Sequence, residues 1–305
     1  MIGFVFPGQG SQTPGMGKEL ADNFSVARQV FEEADDTLGF SLSRLCFEGP
    51  EEKLKLTEYT QPAILAVSTA VLRVVETETD LCPTLLAGHS LGEYAALVAA
   101  QVLSFSDAVR AVRQRGLFMQ EAVPVGTGTM AAVLGLENHT IEEVCKAAAA
   151  DQVVSPANFN SPGQIVIAGH TEAVNRALEL AREKGCRKAV LLPVSAPFHC
   201  VLMEQAGLRL EKLFSEITFN PFKTPVVTNV EGKANNDHSR VAEFLVRQVS
   251  SPVLWEDSVE EMIRSGVDSF VELGPGKVLS GLIKRINKKV QAHAVDGKNG
   301  LKVFQ

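Results

Sequence analysis

Residues 84–100, TLLAGHSLGEYAALVAA, place Ser90 inside a Gly-His-Ser-Leu-Gly segment that spans residues 88–92. A serine nucleophile needs an exposed oxygen and a nearby backbone N–H that can bind the oxyanion formed during attack. A sharp turn from a strand into a helix supplies both, and flanking glycines let the backbone pack closely there. The apolar residues on either side predict this strand and this helix. The segment therefore favours Ser90 as a nucleophile over the alternative, a serine that only caps a helix.

A serine nucleophile also needs a general base, which is most often a histidine. Of the six histidines, His199 in VSAPFHC follows a group of short predicted strands, at a point where two domains are expected to meet and clefts form. His89 adjoins the serine, so its side chain should point away from the position of a base. The other four lie in polar segments or in a C-terminal strand: His139, His170, His238 and His293. His199 is the candidate base, and a buried structural imidazole is the alternative.

The glycine-rich segment FPGQGSQTPGMGKE, residues 6–19, does not match a nucleotide-binding fingerprint. It lacks the later glycine of a dinucleotide site and the Ser/Thr and glycine spacing of a P-loop. It follows the first predicted strand, at the carboxyl edge of a sheet, so its backbone amides are candidate oxyanion donors. Arg115, in VRQRGLFMQEAVP, lies in a predicted helix beside apolar residues. From the helix alone, an exposed arginine whose stem covers the core is the commoner arrangement.

Short strand-like runs that alternate with helical segments predict an α/β fold with a largely parallel sheet. IGFVF is the first predicted strand, and TLLAG is a later one that leads into a very apolar helix over residues 91–103. Ser25 is predicted to cap a helix over residues 26–38, which Gly39 can end. Near the C-terminus, DSFVELGPG predicts a strand with a loop, and KVLSGLIKRI predicts a helix.

A different order of elements occupies residues 125–194. The segments GTMAAVLGL, VVSPANF, GQIVIAG and KAVLLPV are strand-like, whereas TIEEVCKAAAA and EAVNRALELAREKG are helical. The resulting order, βαββαβ, is the ferredoxin-like pattern. We therefore expect a large α/β domain formed by residues 1–124 and 198–305, with a small ferredoxin-like domain inserted as residues 125–197.

The composition indicates a globular intracellular protein. The 305 residues are 45% hydrophobic, which is ample for a buried core, and the net charge of −7 argues against nucleic acid or anionic membranes as partners. The five cysteines form no CxxC pair, which argues against structural zinc or a disulfide framework. The start, MIGFVFPGQG, lacks the basic region of a secretory signal, and no apolar run approaches the ~20 residues of a membrane helix. We expect a cytoplasmic protein that is monomeric by default and holds no metal.

Eight segments lie in order from Phe6 to about Leu282: FPGQGSQ, TQPAIL, GHSLGEYAAL, RQRGLFMQEA, ANFNSPGQIVIAG, VSAPFH, RQVSSPVLW and ELGPGKVLSGL. Together they resemble the corresponding segments of the malonyl-CoA:acyl carrier protein transacylases. One such segment is weak evidence, but eight in order across nearly the whole chain are highly specific. The resemblance implies an α/β-hydrolase-like large domain interrupted by a ferredoxin-like one, with the active site in the gorge between them.

The resemblance implies catalytic roles for five residues. Ser90 would be the acylated nucleophile, with His199 as its general base. The backbone amides of Gln9 and Leu91 would form the oxyanion hole. The backbone carbonyl of Gln248, instead of an aspartate, would orient His199. A carbonyl can accept the Nδ1–H and fix the tautomer, although it stabilises the imidazolium less than a carboxylate does.

The resemblance also implies the substrates and the reaction. Arg115 would hold the malonyl carboxylate, and Gln61, Met119 and Asn160 would line the gorge. The reaction would be a ping-pong transfer of the malonyl group from malonyl-CoA to the phosphopantetheine thiol of acyl carrier protein, through a malonyl ester on Ser90 and without a metal or bound cofactor. A narrow gorge filled by the arginine clamp would keep water away from the ester.

Two other functions remain open at the level of sequence. An esterase or thioesterase would use the same nucleophile, but nothing resembles an HGGG loop and no Asp-then-His order is evident after Ser90. A non-catalytic scaffold that only binds acyl carrier protein is the second alternative. The presence of Ser90, His199 and Arg115 together argues against it.

A docking surface for acyl carrier protein must be local, because such proteins are acidic and this chain carries a net charge of −7. The segment KRINKK places four cations together, with Lys277 close by in sequence: Lys284, Arg285, Lys288 and Lys289. We expect these four residues to form the docking surface. An ordinary solvated charge run at a helix end is the alternative.

Overall fold

The computed structural model describes residues 1–124, 126–194 and 196–304. Val125, Ser195 and Gln305 lie outside the described residues, and so does the predicted domain boundary at Val125. Within the described ranges, no helix is both long enough and apolar enough to cross a membrane.

The first β-sheet is largely parallel. In spatial order it contains β11 (Gln291–Val295), β10 (Ser269–Leu273), β1 (Ile2–Phe6), β2 (Leu85–Gly88), β7 (Val226–Val227) and β8 (Ala234–Asn235). The pairing of β7 with β8 is antiparallel, and the other pairings are parallel. The run IGFVF in β1 is buried along most of its length, as expected for a parallel strand covered on both faces.

The second β-sheet is mostly antiparallel. In spatial order it contains β6 (Lys188–Leu191), β3 (Gly128–Leu134), β5 (Gln164–His170), β4 (Val154–Ser161) and β9 (Val253–Leu254). The strand β9 comes from the C-terminal part of the chain and pairs parallel with β4.

The helices lie between and around these strands. They are α1 (Lys18–Asn23), α2 (Ser25–Leu38), α3 (Leu42–Glu48), α4 (Glu51–Leu54), α5 (Thr57–Glu78), α6 (Gly92–Ala99), α7 (Phe105–Glu121), α8 (Asn138–Ala149), α9 (Thr171–Glu183), α10 (Glu204–Phe214), α11 (Val241–Gln248), α12 (Trp255–Arg264), α13 (Val278–Ile286) and α14 (Lys298–Leu301). Two short 3₁₀ turns cover Val201–Met203 and His238–Arg240. The chain order β3-α8-β4-β5-α9-β6 is the βαββαβ order that the sequence predicted.

Buried apolar side chains fill both faces of the first sheet. Phe4 and Phe6 belong to the larger cluster, together with most of α5, whereas Val5 between them packs with Phe270 and Trp255 in a second cluster. This division follows from the alternation of side chains along a strand. A third cluster lies between the second sheet and the helices α8 and α9. The fold is therefore mixed α/β, as predicted.

Two predicted helix ends are wrong, and one is confirmed. Gly39 ends α2 in a left-handed conformation with φ 70°, as predicted. Ser25 is the first residue of α2 and not its cap, because the extended residue that precedes the helix is Phe24. The apolar helix α6 ends at Ala99, short of its predicted end, because Gln101 has φ 60° and cannot continue a right-handed helix.

Candidate active site

Ser90 lies in the turn between β2 and α6, in a left-handed conformation with φ 52°. The turn is tight enough to require its glycines. A Cβ atom on Gly88 would lie 1.9 Å from the carbonyl carbon of Gly92, and one on Gly92 would lie 2.1 Å from the carbonyl oxygen of Phe6. The Ser90 N–H donates to Oδ1 of Asn229 (2.7 Å), which helps to hold this unusual backbone. The strand-turn-helix context that the sequence predicted for a nucleophile is present.

His199 is hydrogen-bonded to Ser90. Its Nε2 lies 2.7 Å from Oγ of Ser90, and its Nδ1 lies 2.8 Å from the carbonyl oxygen of Gln248. Because a carbonyl oxygen can only accept, Nδ1 carries the proton, and Nε2 accepts from the serine hydroxyl. This is the tautomer that a general base requires. The sequence resemblance implied both contacts.

His199 is buried, with only 4% of its surface exposed. Its burial and the nearby positive charge of Arg115 lower the pKa of His199 to about 3, against a smaller opposing effect of the bond to Gln248. The imidazole is therefore neutral at physiological pH and able to take a proton from the serine.

Arg115 is buried beside Ser90, with 1% of its surface exposed. Its guanidinium donates to Oε1 of Gln61 (2.8 Å), to Oε1 of Gln248 (2.9 Å) and to Oγ of Ser90 (3.2 Å). All three acceptors are uncharged oxygens. The helix pattern favoured an exposed arginine, and that expectation is wrong. The buried cation lies where an anionic part of a substrate can meet it.

Ser90, His199 and Arg115 line a cavity of about 110 Å³. Its walls include four more of the predicted site residues: Gln9, Gln61, Leu91 and Met119. The amide of Gln61 also donates to Sδ of Met119 (3.8 Å), so these two side chains form one wall.

Asn160 lines an adjoining cavity of about 280 Å³, which shares Gln9 with the first. The side-chain oxygen of Asn160 lies 2.8 Å from Nε2 of His89, so the histidine next to the nucleophile supports this wall. Asn158 lines both cavities and was not predicted. Asn158 and Asn160 both belong to β4, so this one strand contributes to the walls of both cavities.

Sequence reasoning missed Glu93 and Asn229. Nδ2 of Asn229 donates to the carbonyl of Gly88 (2.7 Å), while its Oδ1 accepts from Ser90, so it connects both sides of the turn. Glu93 is buried and accepts from the backbone N–H of Asn229 (3.1 Å) and from Nε2 of Gln248 (2.8 Å). A lone acidic residue in the apolar helix GEYAALVAA is a signal for Glu93, whereas no local pattern marks Asn229.

The predicted docking residues are exposed at the end of α13 and in the loop that follows: Lys284, Arg285, Lys288 and Lys289. The guanidinium of Arg285 donates to Oε1 of Gln164 on β5. Gln164 also lines the adjoining cavity, so the basic segment lies beside one wall of that cavity.

Comparison with known proteins gives consistent matches. The model of the acyl transferase domain family matches residues 3–299. The malonyl CoA-acyl carrier protein transacylase of Escherichia coli (strain K12) is 50% identical over 293 residues, which are 96% of this chain and 95% of that protein.

Solved structures agree with these matches. An acyl carrier protein S-malonyltransferase from Vibrio cholerae has a TM-score of 0.98 and 48% identity, covering 100% of this chain and 99% of that one. A malonyl-transacylase in complex with the acyl carrier protein of a type II PKS has a TM-score of 0.97 and 47% identity, covering 99% and 98%. The chain therefore belongs to the acyl transferase domain family and, within it, to the malonyl CoA-acyl carrier protein transacylases.

Proposed function

We propose that this protein transfers the malonyl group from malonyl-CoA to the phosphopantetheine thiol of acyl carrier protein, through a malonyl ester on Ser90. The observation that carries the proposal is the 2.7 Å contact between Oγ of Ser90 and Nε2 of His199, beside the buried Arg115, whose acceptors among the described residues are uncharged. The pair supplies a nucleophile and its base. Arg115 supplies a partner for the carboxylate that distinguishes malonyl from acetyl.

In the first half-reaction, Nε2 of His199 takes the hydroxyl proton while Oγ of Ser90 attacks the thioester carbonyl. The backbone amides of Gln9 and Leu91, which line the same cavity, would bind the oxyanion. The intermediate then collapses, the C–S bond breaks, and the proton on His199 passes to the departing CoA thiolate. Malonyl-Ser90 and CoA are the products.

In the second half-reaction, the phosphopantetheine thiol is the nucleophile and Oγ of Ser90 is the leaving group. His199 takes the proton of the phosphopantetheine thiol, whose sulfur attacks the ester carbonyl of malonyl-Ser90. The C–O bond breaks, and the proton returns to Oγ of Ser90. The bond from Nδ1 of His199 to the carbonyl of Gln248 keeps the base in one tautomer in both directions. The adjoining cavity of about 280 Å³ is the proposed path for the pantetheine arm.

The structural details that the resemblance implied stay proposals. The largely parallel first sheet supports an α/β-hydrolase-like large domain of residues 1–124 and 198–305. The antiparallel order β6-β3-β5-β4 supports a ferredoxin-like domain of residues 125–197. We also propose a cytoplasmic location, a monomeric state and docking of acyl carrier protein at the exposed basic segment of Lys284, Arg285, Lys288 and Lys289.

Mass spectrometry after brief exposure to malonyl-CoA tests the proposal. We expect a malonyl adduct on Ser90 that the thiol of acyl carrier protein discharges much faster than water does, and no adduct in Ser90→Ala. An adduct on a cysteine would contradict the proposed nucleophile. Rapid hydrolysis without an acceptor thiol would favour the esterase alternative, and the complete absence of an adduct would favour the scaffold.

A further inference from the structure

Arg115 carries a buried charge that its direct contacts do not neutralise. Among the described residues, its acceptors are the side-chain oxygens of Gln61, Gln248 and Ser90, and none of them is a carboxylate. A buried cation without a nearby anion is strongly unfavourable. The folded protein therefore needs a compensating negative charge close by, even when no substrate is bound.

Glu93 meets this need through one amide group. Its Oε2 accepts from Nε2 of Gln248 (2.8 Å), while Oε1 of the same glutamine accepts from Arg115 (2.9 Å). Gln248 thus lies between a cation and an anion, and both charges polarise its amide in the same direction. Because Glu93 does not bind the guanidinium directly, it does not compete with a substrate carboxylate for Arg115.

Gln248 also forms hydrogen bonds with the backbone of Ser90 and the imidazole of His199. Nε2 of Gln248 donates to the carbonyl of Ser90 (2.9 Å), and its own carbonyl accepts from Nδ1 of His199 (2.8 Å). A group that fixes the side chain of Gln248 therefore influences the nucleophile, the base and the arginine together.

We propose that Glu93 is a positioning residue for acyl transfer, whose carboxylate acts through the side-chain amide of Gln248 to balance Arg115 and to hold the carbonyl that orients His199. This inference rests on the proposed function. No bond to Glu93 is made or broken during the reaction.

Glu93 has a protonation equilibrium that allows the proposal to be tested by pH. Burial raises the pKa of Glu93 to about 7, although its bonds to Gln248 and Asn229 and the charge of Arg115 lower it. The charged and titratable groups around it are Arg115 on α7 and its helix neighbour Tyr94, whose pKa burial raises. Beyond them lie His199, with a pKa of about 3, and His89, whose pKa burial lowers. The pKa of Glu93 lies between pH 6 and pH 8, so its charge changes across this range.

The test compares wild type with Glu93→Gln, which keeps an acceptor oxygen and removes the charge. Single-turnover loading is measured with malonyl-N-acetylcysteamine, because it lacks the phosphates of CoA, which titrate near pH 6. At pH 8 we expect the maximal loading rate of the variant to fall about tenfold, because an unbalanced Arg115 disfavours the imidazolium. We expect the half-saturating concentration to fall about threefold, because Arg115 attracts the malonyl carboxylate more strongly.

The pH profile separates this role from a merely structural one. As the pH falls from 8 to 6, the maximal loading rate and the half-saturating concentration of wild type should approach those of Glu93→Gln. Both values of the variant should stay constant over this range. The matched control is Glu272→Gln, which alters another buried glutamate that accepts from the backbone N–H groups of Leu279 and Ser280. It should keep the wild-type profile. If Glu93→Gln does not fold, the wild-type profile alone decides.

A wild-type profile that is flat from pH 6 to pH 8 overturns the role of Glu93. A Glu93→Gln variant whose maximal loading rate and half-saturating concentration match those of wild type also overturns it. So does a variant whose loading rate falls while its half-saturating concentration rises, as general damage to the site would cause. In these cases wild type still forms malonyl-Ser90. A wild type that forms no adduct overturns the proposed function, and with it this inference.

Discussion

At the scale of the residue, we propose that Arg115 determines which acyl group the site can hold. Only 1% of the surface of Arg115 is exposed, so a malonyl carboxylate that enters beside its guanidinium leaves water and needs two parallel donors of the planar group. We expect Arg115→Ala to lower kcat/KM for malonyl-CoA by the equivalent of ~3–5 kcal/mol, because the carboxylate loses its partner. Acetyl-CoA, which has no carboxylate, should lose little. Side-by-side kcat/KM values for the two thioesters check this.

Arg115→Lys is the matched variant, because it keeps the positive charge and loses the planar guanidinium that can donate two parallel hydrogen bonds. It should transfer malonyl more slowly than wild type and faster than Arg115→Ala. An equal loss for malonyl-CoA and acetyl-CoA in Arg115→Ala would instead assign Arg115 to the fold or to the CoA moiety.

His199 makes the stability of the protein depend on pH. Its pKa lies near 3 in the folded state and at 6.5 when unperturbed, so the unfolded chain binds the proton more readily. The contribution of His199 to stability is therefore complete above pH 6.5 and is lost as the pH falls toward 3. Between pH 7 and pH 5, wild type should lose about 2 kcal/mol more unfolding free energy than His199→Gln.

Denaturant unfolding at the two pH values measures this difference. His139→Gln is the control, because the side chain of His139 is exposed, and it should show the same acid sensitivity as wild type. Equal losses in wild type and His199→Gln would mean that the imidazole is not held neutral by its burial.

At the scale of elements, the turn between β2 and α6 depends on the crossing of two backbone segments. A Cβ atom on Gly92 would lie 2.1 Å from the carbonyl oxygen of Phe6, so Gly92→Ala must push α6 away from β1. We expect an unfolding free energy lower by about 1–3 kcal/mol and slower malonyl loading, because the Leu91 amide moves with the helix. Gly281→Ala is the control: its Cβ would meet nothing within 4 Å in α13, and it should stabilise the protein by about 0.5–1 kcal/mol. A stable and active Gly92→Ala would contradict the tight crossing.

The sequence predicted those strands and helices that have a pattern of apolar residues and glycines within a short segment. The strand β2 and the start of α6 were predictable because an apolar run, two glycines and a second apolar run lie within 17 residues. The two-residue strands β7, β8 and β9 were not predicted, because so short a segment has no periodicity. Asn229 contacts Ser90 from 139 residues away, and nothing in its own neighbourhood indicates that contact. The role of the Gln248 carbonyl came from resemblance alone, since a backbone group has no sequence signature.

At the scale of the whole molecule, the site depends on the pairing of β9, from the C-terminal part of the chain, with β4. The segment that orients the base, at Gln248, continues into β9, and Val253 of β9 pairs with Asn158 of β4. Asn158 lines the cavity that contains Ser90. The second sheet is therefore joined by backbone pairing to the segment that orients His199. A shift of this sheet would change the cavity wall and the base together.

The basic segment at the end of α13 is the proposed docking surface for acyl carrier protein. Lys284 and Lys288 are exposed, so reversing both charges should leave the cavity intact and repel an acidic carrier protein. We expect Lys284→Glu/Lys288→Glu to raise the KM for acyl carrier protein and to weaken its salt dependence, with unchanged malonyl loading of Ser90. Lys223→Glu/Lys233→Glu is the matched control, because both lysines are exposed and lie near β7 and β8, at the opposite edge of the first sheet from β11. It changes the net charge equally, so a similar rise in KM would show that total charge, and not this segment, attracts the carrier protein.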